Sequence, residues 1–367
     1  MKSTIEFNVA LDNLPVYQPG RPIEEVAREL GIPAADIIKL ASNENPLGPC
    51  PAAVTAVEQA ARQMHLYPDG NAFYFKQKLA AHLGVDTANL ILGNGSNELL
   101  EFVGHALLSP GADVVASEYC FAVYPIVSRL FGANFISVSA KNYGHDLSAM
   151  LKAITPKTKI VFVADPNNPT GTLAPRKDLE QLVNEVPPHV LLVIDQAYIE
   201  FMEDPFDLIP AVTSGAKPNV ILMRTFSKIY GLAGLRLGYG IGDRSLITKL
   251  EKIRQPFNIN SIAQAAGLAA LDATEYTRKA RQVNSAGLRF YEAGFKTLNL
   301  EYVPSSGNFI LVRVGNGQAV FDSMQRQGVI VRPMGGYKLP EWIRISVGTE
   351  QENQRCLAAL KTALGQN

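Results

Sequence analysis

The sequence predicts an α/β fold: a mostly parallel sheet sandwiched by helices, with a smaller α/β unit beyond it. Three observations point there. From about residue 88 onward, short apolar runs alternate with segments of helical period. These runs are rich in Val, Ile and Leu and do not alternate with polar residues, which suits strands covered on both faces. The length, 367 residues, suffices for two domains or one large one.

In chain order, strands are expected at 89–92, 113–116, 135–138, 159–164, 190–194, 219–223 and 237–241, with helical segments such as 122–130 and 176–186 between them. After Arg254-Gln-Pro256 an Ala-rich helical stretch runs from Ser261 to about Tyr291 and reads as a bridge to a second unit. That unit is expected to hold strands near 308–314, 329–331 and 342–347, then a helix from Glu350. The opening segment carries a short helix, 23–30, and a Pro/Asn-rich exit, Ser42-Asn-Glu-Asn-Pro-Leu-Gly-Pro49. No internal repeat or low-complexity segment interrupts this order.

Lys plus Arg is 34 and Asp plus Glu is 34, so nothing in the charge balance calls for nucleic acid or an anionic membrane. No apolar run approaches the ~18 residues of a membrane span. The start, Met-Lys-Ser-Thr-Ile-Glu-Phe-Asn, lacks a signal peptide's apolar region. Cys50, Cys120 and Cys356 show neither a disulfide framework nor zinc spacing, and the histidines show no metal spacing. A cytoplasmic protein without a metal is expected.

Lys228 ends the stretch Arg224-Thr-Phe-Ser-Lys228, just after an apolar run. A lysine beyond a buried strand can be partly desolvated, which lowers its pKa and suits a Schiff base with an aldehyde. Thr225, Ser227 and Arg236 stand close in sequence and offer what a phosphate needs. A solvated surface lysine is the plainer alternative. The turn Leu92-Gly-Asn-Gly-Ser-Asn-Glu98 precedes a helix and can also cradle a phosphate, although it lacks the third glycine of a dinucleotide loop. The rigid turn 165–171 lies at a strand's carboxyl end, where open α/β sheets bind ligands. Asp195 ends the strand 190–194, with Tyr198 after it. A carboxylate there needs a cation, either a protonated pyridine nitrogen or an arginine. Aldehyde, phosphate and pyridine together suggest pyridoxal phosphate.

In this order the chain resembles the aspartate-aminotransferase superfamily of pyridoxal-phosphate enzymes, fold type I, and within it the histidinol-phosphate aminotransferases. The matching motifs are Tyr17-Gln-Pro-Gly, Leu40-Ala-Ser-Asn-Glu-Asn-Pro-Leu-Gly48, Tyr67-Pro-Asp-Gly70, Gly93-Asn-Gly-Ser-Asn97, Phe121-Ala-Val-Tyr124, Pro166-Asn-Asn-Pro-Thr-Gly171, Thr225-Phe-Ser-Lys228, Val331-Arg-Pro333 and Arg344-Ile-Ser-Val-Gly-Thr349. They span essentially the whole chain.

The resemblance implies an arm and part of a small domain at 1–48, a large cofactor-binding domain at 49–260, and a connecting helix with the C-terminal small domain at 261–367. It implies that Lys228 carries the Schiff base and shuttles the proton, and that Asp195 holds the pyridinium. Tyr198 and Asn168 would bond the ring oxygen, Phe121 would stack on the ring, and Gly95, Ser96, Asn97, Thr225, Ser227 and Arg236 would hold the phosphate. Tyr67 would reach the phosphate of a partner subunit in a homodimer. Arg344, Arg332, Asn168 and Tyr17 would meet the substrate. The implied reaction passes an amino group between L-histidinol phosphate and 2-oxoglutarate, giving imidazole-acetol phosphate and L-glutamate. Aromatic (Phe/Tyr) aminotransferases and amino-acid-phosphate decarboxylases share most of these motifs and are the alternatives, while a DNA-binding regulator lacks its basic segment. Three positions depart from the family pattern: Gln196 where Glu is usual, Tyr119-Cys120 where Pro-Thr is common, and Asp165 where a small or amide residue is usual.

Overall fold

The computed structural model describes residues 5–12, 14–17 and 19–366. Residues 1–4 and Gln18, which belong to the N-terminal stretch and the first motif read above, lie outside the described residues. After a two-residue strand β1 (Ile38–Lys39) come seven strands: β2 (Leu90–Asn94), β3 (Asp113–Ser117), β4 (Asn134–Val138), β5 (Thr158–Ala164), β6 (Leu191–Asp195), β7 (Val220–Thr225) and β8 (Leu237–Gly242). They form one sheet in the order β2-β8-β7-β6-β5-β3-β4. From β4 through β7 every pairing is parallel, and β8 runs antiparallel to both its neighbours. This is the mostly parallel sheet the apolar runs predicted.

The absence of alternation in those runs has a direct cause. Val161, Val163, Leu192, Ile194 and Leu222 point into one buried cluster, and Ile160, Phe162, Val193, Ile221 and Met223 into the other. Both faces are covered, so both parities must be apolar. The edge strands are the ones that leave residues exposed: β4 is only partly covered along its length, and β2 exposes Asn94 at its end.

The C-terminal unit holds β9 (Tyr302–Val303), β10 (Phe309–Arg313), β11 (Val329–Ile330), β12 (Arg332–Pro333) and β13 (Trp342–Ser346). Its main sheet is antiparallel, in the order β12-β13-β10-β9, while β11 pairs in parallel with β1. The single strand expected at 329–331 is therefore replaced by two short ones serving different partners. Two-residue strands give no periodic signal, which is why β1, β9 and β12 were not expected. The helical stretch expected from Ser261 to about Tyr291 is also divided, into helices Ser261–Ala270 and Thr274–Thr297. Ala273 has ψ 53, outside the helical region, and the Thr274 N–H turns back to the Asp272 carbonyl at 2.9 Å. The second helix does bridge the two units. Ala280 packs against the central sheet, and Tyr291 and Phe295 join Val26, Ile310 and Ile343 in the C-terminal core.

Asp165 follows β5 and is buried, with Oδ1 accepting the Ala174 N–H at 2.8 Å. Burial pushes its carboxyl pKa up to about 6. A raised folded-state pKa means stability that is present at low pH and lost as pH rises through about 6. Asp165→Asn keeps the acceptor and removes the buried charge. It should therefore stabilise the protein at pH 8 by about 1–3 kcal/mol and leave it nearly unchanged at pH 4. Urea unfolding at the two pH values checks this, and equal gains at both would assign the effect to something other than ionisation.

Candidate active site

Parallel strands β5, β6 and β7 end at one level, and their carboxyl ends deliver Pro166 and Asn168, Asp195 and Tyr198, and Thr225, Ser227 and Lys228 to one cavity of about 240 Å³. The opposite wall comes from far along the chain: Tyr17, Gly20 and 41–43 on one side, Arg332, Tyr337 and Arg344 on the other. The lining thus carries four cationic side chains, Lys228, Arg236, Arg332 and Arg344, and one acidic one, Asp195.

Asp195 is 7% exposed. Its Oδ2 accepts the Tyr124 hydroxyl at 2.9 Å and its Oδ1 the Ala197 N–H at 3.1 Å. Burial raises its pKa, while these two bonds and the Lys228 charge pull the other way. Lys228 Nζ donates to the Ser42 carbonyl at 3.1 Å and lies 5.7 Å from the Tyr198 ring centroid. Burial first, then the Arg344 charge, brings its pKa down to about 8. Tyr198 is pushed up to about 12, chiefly by burial. Its oxygen accepts Nδ2 of Asn43 at 2.9 Å and Nδ2 of Asn168 at 3.2 Å.

Arg344, on β13, donates Nη1 to Asn168 Oδ1 at 2.7 Å and Nη2 to the Ala41 carbonyl at 2.9 Å, and its Nε is buried without a partner. Its guanidinium lies 5.1 Å from the Phe309 ring centroid. Burial lowers its pKa from the ordinary value.

The third corner is a donor cradle. Helix Ser96–Leu107 starts at Gly95, whose φ of 77 favours glycine. Ser96 and Asn97, with their unpaired first-turn N–H groups, line the cavity. Arg236 reaches over with Nη1 3.4 Å from Ser227 Oγ. A Cβ at Gly95 would come within 2.5 Å of Arg236 Nη2, and one at Gly238 within 2.4 Å of the Ser96 nitrogen. Both glycines are needed for the loop, β8 and the guanidinium to pack this closely.

Of the residues singled out in the sequence, Ser96, Asn97, Phe121, Asn168, Asp195, Tyr198, Thr225, Ser227, Lys228, Arg236, Tyr17, Arg332 and Arg344 all line this cavity, and Gly95 adjoins it. Tyr67 does not. It is 83% exposed and stacks on Phe257 with centroids 4.8 Å apart. Asn43, Tyr124 and Tyr337 also reach the site or its carboxylate, and no role was expected for them. The first two lie inside quoted motifs, while Tyr337 follows a Gly-Gly pair with no other signal. The departures fall outside the lining: Gln196 is buried and accepts Arg224 Nε at 2.9 Å, and Cys120 is buried.

A hydroxyl whose proton has no acceptor among the described residues, a single carboxylate in the lining, a lysine of lowered pKa and a cradle of backbone N–H, hydroxyl and guanidinium groups are what pyridoxal phosphate requires. The residues fit it. Residues 35–360 match the family model for aminotransferase class I and II. The chain is 50% identical over 352 residues to a histidinol-phosphate aminotransferase of Akkermansia muciniphila, covering 96% of each. It is 51% identical over 356 residues to a histidinol-phosphate aminotransferase 2 of Ralstonia nicotianae, covering 95% of each. The crystal structure of histidinol-phosphate aminotransferase from Sinorhizobium meliloti in complex with pyridoxal-5'-phosphate superposes with a TM-score of 0.91 at 30% identity, covering 99% of each chain. The chain belongs to the class I and II aminotransferases, among the histidinol-phosphate aminotransferases, and its cofactor is pyridoxal phosphate.

Proposed function

We propose that this chain is a cytoplasmic, homodimeric aminotransferase that moves the amino group of L-histidinol phosphate to 2-oxoglutarate, giving imidazole-acetol phosphate and L-glutamate. The observation that carries the substrate reading is the anion corner opposite Lys228. Arg344 is 6% exposed with one N–H unpaired, Arg332 stands in the same wall, and Tyr17 and Tyr337 are its electrostatic neighbours. With Arg236 assigned to the cofactor phosphate, Arg344 carries the second anion, and Arg332 adds positive charge to the same wall. A phosphate in one half-reaction and a carboxylate in the other can use the same corner, and because the cofactor alternates between aldehyde and amine forms the kinetics are ping-pong.

Bound pyridoxal phosphate supplies an aldehyde for amines and a ring that takes up electrons when the Cα proton leaves. Lys228 is the amine that holds the aldehyde and, once released by substrate, the base that moves that proton. Its lowered pKa leaves a sizeable neutral fraction near pH 8. Asp195 holds positive charge at the ring nitrogen, Asn168 and Tyr198 bond the ring oxygen, and Phe121 covers the ring. Gly95, Ser96, Asn97, Thr225, Ser227 and Arg236 hold the cofactor phosphate.

We also assign Tyr67 to the partner subunit's phosphate site. Its exposure among Met64, Leu66, Phe73 and Tyr74, all exposed, supports a buried position in a dimer. The division into 1–48, 49–260 and 261–367 belongs to the same proposal, with the cavity at their junction.

Steady-state rates with 2-oxoglutarate as acceptor and glutamate as the measured product test the substrate. L-histidinol phosphate should exceed phenylalanine and tyrosine in kcat/KM, and the reverse order would make this an aromatic aminotransferase. Arg344→Ala should lower kcat/KM for both histidinol phosphate and glutamate by about 30- to 150-fold, the worth of a lost charge-assisted contact. Arg344→Lys should recover part of this, since the planar fork is gone. An unchanged kcat/KM in Arg344→Ala would move the anion to Arg332.

The neutral amine of Lys228 is the nucleophile toward the aldehyde. Capture of cofactor by the apo-protein should therefore accelerate as pH rises toward about 8 and level off above it. Stopped-flow absorbance measures this, and a rate still climbing into the ordinary lysine range would show a solvated side chain. Mixing inactive Lys228→Ala chains with inactive Tyr67 variants should restore activity through hybrid dimers, and verified hybrids without activity would rule out shared sites.

A further inference from the structure

Successive residues of one short segment reach three different groups of the site. The Ala41 carbonyl accepts Arg344 Nη2 at 2.9 Å, the Ser42 carbonyl accepts Lys228 Nζ at 3.1 Å, and Asn43 Nδ2 donates to Tyr198 Oη at 2.9 Å. Asn43 is 1% exposed and sits at φ 55, a left-handed conformation that asparagine tolerates better than most residues. It is tied down from the other side by β13. Its backbone N–H donates to Ser346 Oγ at 2.8 Å, and Ser346 Oγ returns its proton to Asn43 Oδ1 at 2.9 Å. Its carbonyl accepts Asn308 Nδ2 at 3.0 Å.

We propose that Asn43 is a positioning residue for the reaction, which forces the Tyr198 hydroxyl to give its single proton into the cavity. The argument is one of donors and acceptors. Arginine can only donate, so Arg344 on Asn168 Oδ1 turns the Asn168 Nδ2 toward Tyr198. Ser346 on Asn43 Oδ1 turns the Asn43 Nδ2 the same way. The tyrosine oxygen therefore receives two N–H bonds, which occupy its acceptor capacity, and its one proton is left for the cavity. A lone amide at Asn168 would let the hydroxyl rotate. The second amide, on a backbone locked by two sheet residues, removes that freedom. This inference rests on the reading above that Tyr198 bonds the cofactor's ring oxygen.

Asn43→Asp is the sharpest test. It is nearly isosteric, tolerates positive φ and still accepts from Ser346, but it replaces the N–H facing Tyr198 with an acceptor that takes the hydroxyl proton away. A donor to the ring oxygen stabilises its negative charge, which is greatest in the less protonated chromophore, so losing the donor raises the pH midpoint of the bound cofactor's absorbance. In the holoenzyme, Asn43→Asp should raise that midpoint by about one unit and lower kcat about 10- to 100-fold, with KM for glutamate little changed. Asn43→Gly suits the backbone and deletes the side chain. It should move both quantities the same way by less, and it carries the test if the aspartate variant does not fold.

Tyr198→Phe supplies the reference. It should raise the midpoint by itself, and Asn43→Gly, which brings no charge, should then add nothing to it. If Tyr198→Phe leaves the midpoint in place, the assignment of Tyr198 to the ring oxygen fails. If Tyr198→Phe moves it while the Asn43 variants lower only the melting temperature, Asn43 merely ties the two sheets together and the proposal is overturned. Independent, additive shifts in the double variant would overturn it too.

Discussion

The parallel register of β5, β6 and β7 is the constraint on which the rest depends. Ala164 pairs with Asp195 and Asp195 with Met223, so three neighbouring strands finish at nearly one level. Each strand is buried on both faces, which fixes its depth in the core and hence where its last residue emerges. After Lys228 the chain turns back through residues 229–236 into the antiparallel β8, where Gly238 pairs with Thr225, so Arg236 and Gly238 lie beside the residues that β7 has delivered. A one-residue slip in any of these pairings would turn Asp195 or Thr225 away from the cavity.

Charge explains why the cavity needs its ligands. Four cations face one carboxylate across about 240 Å³ of partly enclosed space. Burial is the main influence that lowers the pKa of both Lys228 and Arg344, and repulsion adds to it: Arg344 and Arg236 act on Lys228, and Arg332 acts on Arg344. Two anions, one beside Arg236 and one beside Arg344, would restore balance while leaving Asp195 to face a single positive charge. The lysine pKa is thus set partly by the groups that bind phosphate and substrate, and filling those subsites raises the basicity available at Lys228.

The central sheet and the residues at its strand ends were legible because both rest on local pattern. Lys228, Asp195 and Asn168 each follow a run of buried aliphatics, and seven such runs became seven strands. The opposite wall was not legible in this way. Arg344 meets Asn168 across 176 residues and Ala41 across 303, and no periodicity reports such contacts. Arg344 entered through motif resemblance. Asn43 lies in a quoted motif, but its partners Tyr198, Asn308 and Ser346 are 155 or more residues away, and nothing local marks Tyr337. The division of the helical stretch at 271–273 and the two-residue strands failed for a related reason: tertiary pairing decides them, not propensity.

The departures from the family pattern show how little of the supporting structure is needed to keep the chemistry intact. Gln196 accepts Arg224 Nε, so the buried arginine keeps a hydrogen-bond partner although the usual carboxylate is gone. The nearest compensating charge is then Glu200, whose own pKa burial pushes up to about 7, against the pull of Arg224 and Arg281. Asp195 itself is driven toward protonation by burial and must stay ionised to hold a pyridinium. The Tyr124 hydroxyl and the Ala197 N–H serve that requirement, since each donates to this carboxylate and favours its charged form.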